Sequence, residues 1–112
     1  MDNFSVNQAV SGDVAVVTIA GRVDSLTSVT LESELSKAMK EHKKIVLDMK
    51  SVEYLSSAGV RAIMKVLQST QKSGGGVKLA SLSKTVSEVL ENVGVTQFVQ
   101  TFSSTDEAVT SF

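Results

Sequence analysis

Phe4, Val6 and Val10 alternate with polar residues, the period of two expected of a strand covered on one face. After Ser11-Gly12-Asp13 the chain is nearly continuous in Val, Ala, Ile and Thr from Val14 to Ala20, which predicts a second strand joined to the first by a tight turn. A strand covered on both faces loses its alternation, so the second strand is expected to lie more centrally. Gly21 then punctuates it. From about Leu26 to Glu41 the period changes: Leu31, Leu35, Ala38 and Met39 recur at helical spacing, with Glu32, Glu34, Lys37, Lys40 and Glu41 on other faces. This predicts a first helix. Ile45 to Met49, after Lys43-Lys44, reads as a buried strand.

Val60, Ile63, Met64 and Leu67 stand at i, i+3, i+4 and i+7 and predict a second helix, closed at Ser73-Gly74-Gly75-Gly76, where glycine suits the left-handed cap. Val77 to Ala80 follows as a strand. Val86, Val89, Leu90 and Val93 repeat the helical spacing up to Asn92 and Gly94, a third helix with its stop signal. Phe98 to Phe102 reads as the fifth strand, and Ser104-Thr105-Asp106-Glu107 is a capping box opening a short last helix through Phe112. The order β-β-α-β-α-β-α-β-α, with connections of a few residues, predicts an α/β fold: a single-domain layered sandwich over residues 1–112, with a mixed five-stranded sheet and four helices. Strands separated by single helices are expected to run parallel, and the opening hairpin adds one antiparallel pair.

The 112 residues are 42% apolar and 21% charged, a balance that supports a packed core rather than disorder. Eleven Lys and Arg against twelve Asp and Glu give a formal charge of −1, leaving no basic surplus for nucleic acid. Cysteine is absent and His42 is the single histidine, which removes disulfides and thiolate chemistry and would leave a metal to carboxylates alone. No cofactor is expected. No apolar run approaches the roughly 18 residues of a membrane span, and Met1-Asp2-Asn3-Phe4 lacks a signal-peptide layout, so a cytoplasmic protein is expected. The glycosylation pattern Asn3-Phe4-Ser5 therefore carries no weight.

In sheets of this kind, sites collect at the carboxyl ends of strands, where loops lead into helix N-termini with unpaired N–H groups. Three segments qualify: Gly21-Arg22-Val23-Asp24-Ser25, Ser51 to Ser57, and Ser81-Leu82-Ser83-Lys84. The middle one is the most informative. Tyr54-Leu55-Ser56-Ser57-Ala58-Gly59-Val60 sets two hydroxyls at a helix start, followed by two small residues that would let another surface approach the backbone. Taken alone, a serine there is more often a plain N-cap. The first turn, Ser57 to Val60, holds no acid and is followed by Arg61, whereas the last helix has Glu107 near its start. A phosphate on Ser56 or Ser57 would add about −1.5 to −2 charges at a place where an exposed anion contributes about 0.3–1 kcal/mol. Modification is expected to leave the fold intact.

The element order, Gly21-Arg22-Val23-Asp24 at the end of the second strand, Val46-Leu47-Asp48-Met49, and Tyr54-Leu55-Ser56-Ser57-Ala58-Gly59 together resemble the STAS domain family, the anti-sigma factor antagonists and related transporter tails. The resemblance spans essentially the whole chain and implies a regulator, not an enzyme. In antagonists of this family, a serine at the start of the second helix is phosphorylated by the anti-sigma factor, itself a protein kinase, and a protein phosphatase reverses this. Carried onto this chain, the acceptor is Ser57, with Ser56 the alternate. Family members often have Asp-Ser-Ser-Gly; anchored on Gly59, this chain has Ser56 in place of the acid and Ala58 in place of the second serine. Asp24 matches an aspartate that family members carry close to the acceptor; read by itself, it is equally a cap or turn residue of the first helix.

The implied switch is one of charge. Unmodified, a surface of Asp24, Ser25, Ser56, Ser57, Ala58, Gly59 and Arg61 docks on the anti-sigma factor and frees the sigma factor it holds. Phosphorylated, the same surface presents an uncompensated dianion and the partner is rejected. Two other readings stand beside this one. One is a non-catalytic scaffold or accessory subunit of a stress-signalling or transporter complex, in which Ser57 need not be modified. The other is a small hydrolase with Ser57 as nucleophile, for which no base is at hand. His42 and Lys84-Thr85 read as solvated helix ends, Met39, Met49 and Met64 as core, and Gly74-Gly75-Gly76-Val77-Lys78 joins helix to strand, the reverse of a phosphate loop. Free strand edges allow a monomer or a weak dimer.

Overall fold

The computed structural model describes residues 4–72 and 74–112, so Met1, Asp2, Asn3 of the glycosylation pattern and Ser73 of the predicted helix end lie outside the described residues. The hairpin forms where the alternation puts it: β1 (Ser5–Ser11) and β2 (Val14–Val23) pair antiparallel without a break from Ser5↔Ala20 to Ser11↔Val14. The turn residue Gly12 takes φ +64°, in the left-handed region that favours glycine. Then come α1 (Thr27–Glu41), β3 (Lys44–Leu55), α2 (Ser57–Lys72), β4 (Gly76–Ala80), α3 (Lys84–Asn92), a 3-10 turn (Val95–Gln97), β5 (Gln100–Phe102) and α4 (Thr105–Thr110). The sheet order is β1-β2-β3-β4-β5, and every pair after the first is parallel. The architecture is thus the expected mixed five-stranded sheet with four helices.

Strand alternation and helical spacing meet in one core. Ala15, Val17 and Ile19 of β2, Ile45, Leu47 and Met49 of β3, and Val77 and Leu79 of β4 pack in one cluster with the apolar stripes of α1, α2 and α3. The intervening residues Val14, Val46 and Ala80 form a smaller cluster with Ala108 of α4. β2 is an interior strand between β1 and β3, more central than β1, as its nearly continuous apolar run requires. Met49 is fully buried, while Met39 and Met64 pack on the edge of the core.

Three elements differ from expectation. β3 does not stop at Met49 but runs to Leu55, because β2 extends to Val23 and stays paired with it through register shifts between Thr18 and Ala20 and between Gly21 and Arg22. The loop expected over Ser51 to Ser57 is therefore mostly strand. β5 is shorter than Phe98 to Phe102: Gly94, at φ +79°, leads into a tight turn closed by the Phe98 N–H on the Val95 carbonyl, and pairing with β4 begins only at Gln100. Phe98 itself is 62% exposed. α4 ends at Thr110, short of Phe112.

Candidate functional site

The carboxyl ends of β2 and β3 lie side by side, with Val23 paired to Leu55. From this ledge β2 leads into α1 and β3 into α2, and the two helices pack together against one face of the sheet. One residue, Ser56, separates β3 from α2. Its N–H donates to the Val23 carbonyl (2.8 Å), its carbonyl accepts from the Val60 N–H (3.0 Å), and its Oγ accepts from the Gly59 N–H (3.2 Å). Ser56 is the N-cap of α2 and ties that helix to the end of β2.

Ser57 is the first residue of α2, and its side chain is exposed. With Ser56 supplying the cap, the Ser57 hydroxyl has no hydrogen-bond partner among the described residues. The two serines are thus divided in role by geometry: one is held within the fold and the other faces solvent. Ala58 is half-buried and Arg61 is exposed. Gly59 corrects an expectation. A Cβ there would lie 2.6 Å from Val23 Cγ1 and 2.7 Å from Leu55 Cδ1, so the surface that approaches this backbone is the protein's own. Gly59 is buried and sets how closely α2 sits on the ledge.

Asp24 opens α1. Its Oδ1 accepts from the N–H groups of Leu26 (3.0 Å) and Thr27 (2.9 Å), and its own N–H donates to the Thr27 Oγ1 (2.8 Å). The Ser28 N–H donates to its carbonyl. The cap reading of Asp24 is therefore the one its contacts satisfy, with Ser25 and Leu26 exposed in the turn that follows. The Thr27 N–H does most to hold the Asp24 carboxyl below its ordinary value of 3.8. Partial desolvation opposes this, and the Thr27 hydroxyl, the Leu26 N–H and the Arg22 guanidinium reinforce it. Arg22 lies 3.8 Å from Asp24 Oδ2 and stacks 4.0 Å above the Tyr54 ring, joining the two strand ends over the ledge.

The missing acid proves a weak signal. The first turns of α1 and α3 lack one as well, so its absence does not single out α2. The pattern also left unmarked the apolar rim of this surface. Leu26 is 82% exposed, Val29 68% and Tyr54 40%. The available signal was positional: Leu26 and Val29 fall off the Leu31, Leu35, Ala38 stripe of α1 and have no core to enter. At the third segment, Ser83 Oγ accepts from the Val86 N–H as an ordinary cap and Lys84 and Thr85 are exposed. No group of three His, Cys, Asp or Glu side chains suited to a metal occurs among the described residues.

A model of the STAS domain matches residues 5–108. The chain belongs to the STAS domain family. Its STAS relatives include BtrV of Bordetella bronchiseptica, provisionally named an anti-sigma factor antagonist, 30% identical over 98 residues that cover 87% of this chain and 84% of BtrV. The anti-sigma-F factor antagonist RsfB of Mycobacterium tuberculosis is 27% identical, covering 97% of this chain and 89% of RsfB. Among solved structures, the Bacillus cell fate determinant SpoIIAA in its phosphorylated form shares the fold at a TM-score of 0.75 and 17% identity, covering 97% of this chain and 98% of that one. The named sequence relatives are antagonists rather than enzymes. Among the described residues, no helix of this STAS chain is long and apolar enough to cross a membrane.

Proposed function

We propose that this STAS chain is an anti-sigma factor antagonist controlled by phosphorylation of Ser57. One observation carries the reading: of the two serines at the start of α2, Ser56 is consumed as the cap while the Ser57 hydroxyl is exposed and without a partner among the described residues. A kinase can reach it. In the unmodified state, Leu26, Val29 and Tyr54 supply apolar contact around Ser25, Ser57 and Arg61, and the anti-sigma factor docks there. Phosphate on Ser57 is tolerated by the free fold, since it projects from a helix start into solvent. In the complex it becomes an uncompensated dianion at a desolvated contact, and binding ends. A phosphatase restores the docking state. SpoIIAA, similar in fold, is a protein with a phosphorylated form, which supports the reading.

The test uses the cognate anti-sigma factor kinase with ATP and maps the phosphate by mass spectrometry. Phosphate on Ser57, lost in Ser57→Ala, is expected. By calorimetry Ser57→Ala keeps partner affinity and Ser57→Asp weakens it. No phosphate, or phosphate elsewhere, together with equal affinities, would replace the switch with an unmodified scaffold or accessory role.

A further inference from the structure

β1 forms one outer edge of the sheet, pairing with β2 alone. The other edge, β5, is three residues long and lies against α4, whereas β1 offers seven residues in unbroken register. Exposed edges of this length are normally blunted by lysine, proline or a bulge. The sequence Ser5-Val6-Asn7-Gln8-Ala9-Val10-Ser11 has no charge and no proline, and its pairing with β2 has no register shift. At the turn, the Asp13 carboxylate pairs with Lys44 at 2.9 Å.

The backbone chemistry of this edge defines what fits it. The two-residue turn closes on the Ser11/Val14 pair, and hydrogen-bonded pairs alternate from there. Val6, Gln8 and Val10 therefore turn their N–H and C=O groups away from β2, towards solvent. These three residues also share one sheet face, the face of Ala15, Val17 and Ile19 opposite them. Val10 stands 56% exposed there, beyond the reach of the helices.

We infer that β1 pairs with β1 of a second copy, antiparallel and centred on Gln8, to make one sheet continuous across a dimer. In this register Gln8 faces Gln8, and each Val10 faces Val6 of the other copy, covering the exposed valine. The match is self-complementary under a two-fold axis, as an isologous contact requires. The two copies run in opposite directions, so their Ser57 surfaces lie at opposite ends and both stay open. A single strand pair buries less than the roughly 1,200 Å² of a standard interface, so the association is weak and concentration-dependent.

The inference does not rest on Ser57, and its test is separate. Sedimentation equilibrium of the chain from about 1 μM to about 1 mM, the range proper to a small interface, should show the average mass rising from that of a monomer towards twice that value. The monomer is 11.9 kDa. Gln8→Pro removes an outward N–H without touching the pairing to β2, as an edge strand tolerates, and should weaken dimerisation by about tenfold or more. Val10→Lys, an exposed change that keeps the fold even if proline does not, should do the same. Ser57→Ala should leave the mass profile unchanged. A constant monomer mass at the highest concentration would overturn the inference. So would a dimer that both variants leave intact, or concentration-dependent amide shifts around the exposed Phe98 instead of on residues 5–11.

Discussion

Gly59 is the residue at which the candidate site and the core meet. Alanine in a helix normally gains about 1 kcal/mol over glycine. Here its Cβ would press on Val23 and Leu55, and overpacking of this kind costs about 1–3 kcal/mol. Gly59→Ala should therefore lower stability by about 1 kcal/mol net, read as a smaller urea midpoint at unchanged slope. Asp24 makes the second prediction. Its folded carboxyl sits below its ordinary value, so its contribution is fully present above the ordinary value of 3.8 and is lost as pH falls through the lower folded value. Asp24→Asn, which can still accept from Thr27 but carries no charge, should flatten the acid limb of a stability-versus-pH curve below about pH 4 and lower stability at pH 7, the gap to the parent closing as the parent's carboxyl is protonated. A limb as steep as in the parent would mean that the carboxyl is not stabilised by the Thr27 turn. The sequence marked Ser56, Ser57 and Asp24 as the residues of interest, because hydroxyls and carboxylates at helix starts are legible by type. The local pattern alone leaves the two serines undivided, since which hydroxyl reaches the Gly59 N–H depends on where β3 ends; only the family resemblance favours Ser57. The inward role of Gly59 depends on Val23, a residue 36 positions away.

The elements most faithfully read were those whose period is long and uninterrupted. α1, α2 and the first hairpin follow their apolar spacing to within a few residues. β3 and β5 depart from their apolar runs for opposite reasons. β3 is prolonged by a partner strand that no local pattern announces, and β5 is shortened by a 3-10 turn that Gly94 initiates. The glycine run after α2 is the connection its composition predicts, but the left-handed cap is only half of its physical reason. Gly74 does take a left-handed conformation, φ +80°, yet Gly75 is required by close approach: a Cβ would collide with the Lys43 carbonyl, whose oxygen also accepts from the Gly76 N–H at 2.9 Å. Backbone cannot rotate aside as a leucine methyl can. Gly75→Ala should thus cost more than Gly59→Ala, towards the upper end of the roughly 1–3 kcal/mol range for overpacking, and should disturb amide signals of both Lys43 and Gly76. Equal urea midpoints for the two variants would contradict the distinction between a side-chain and a backbone obstacle.

Across the molecule, the core that stabilises the fold and the proposed docking surface are separated in space. The core lies between the sheet and the helices, and Leu26, Val29, Ser25 and Ser57 stand outside it on the ledge formed by the ends of β2 and β3. Exposed substitutions away from caps and core shift stability by no more than about 0.5 kcal/mol. Leu26→Asp and Ser57→Asp should therefore leave the urea midpoint nearly unchanged, since neither side chain is packed and neither supplies a capping hydrogen bond to its helix. Binding should behave differently. An apolar anchor replaced by a charge, or a carboxylate set at the start of α2, brings an unpaired anion into the contact with the anti-sigma factor, and a tenfold or greater loss of affinity, about 1.4 kcal/mol, is expected for each. The two measurements must be made on the same preparations. A loss of affinity accompanied by an equal loss of stability would mean that the variants unfold the ledge instead of blocking it. Retained affinity at retained stability would move the docking surface elsewhere on the sheet.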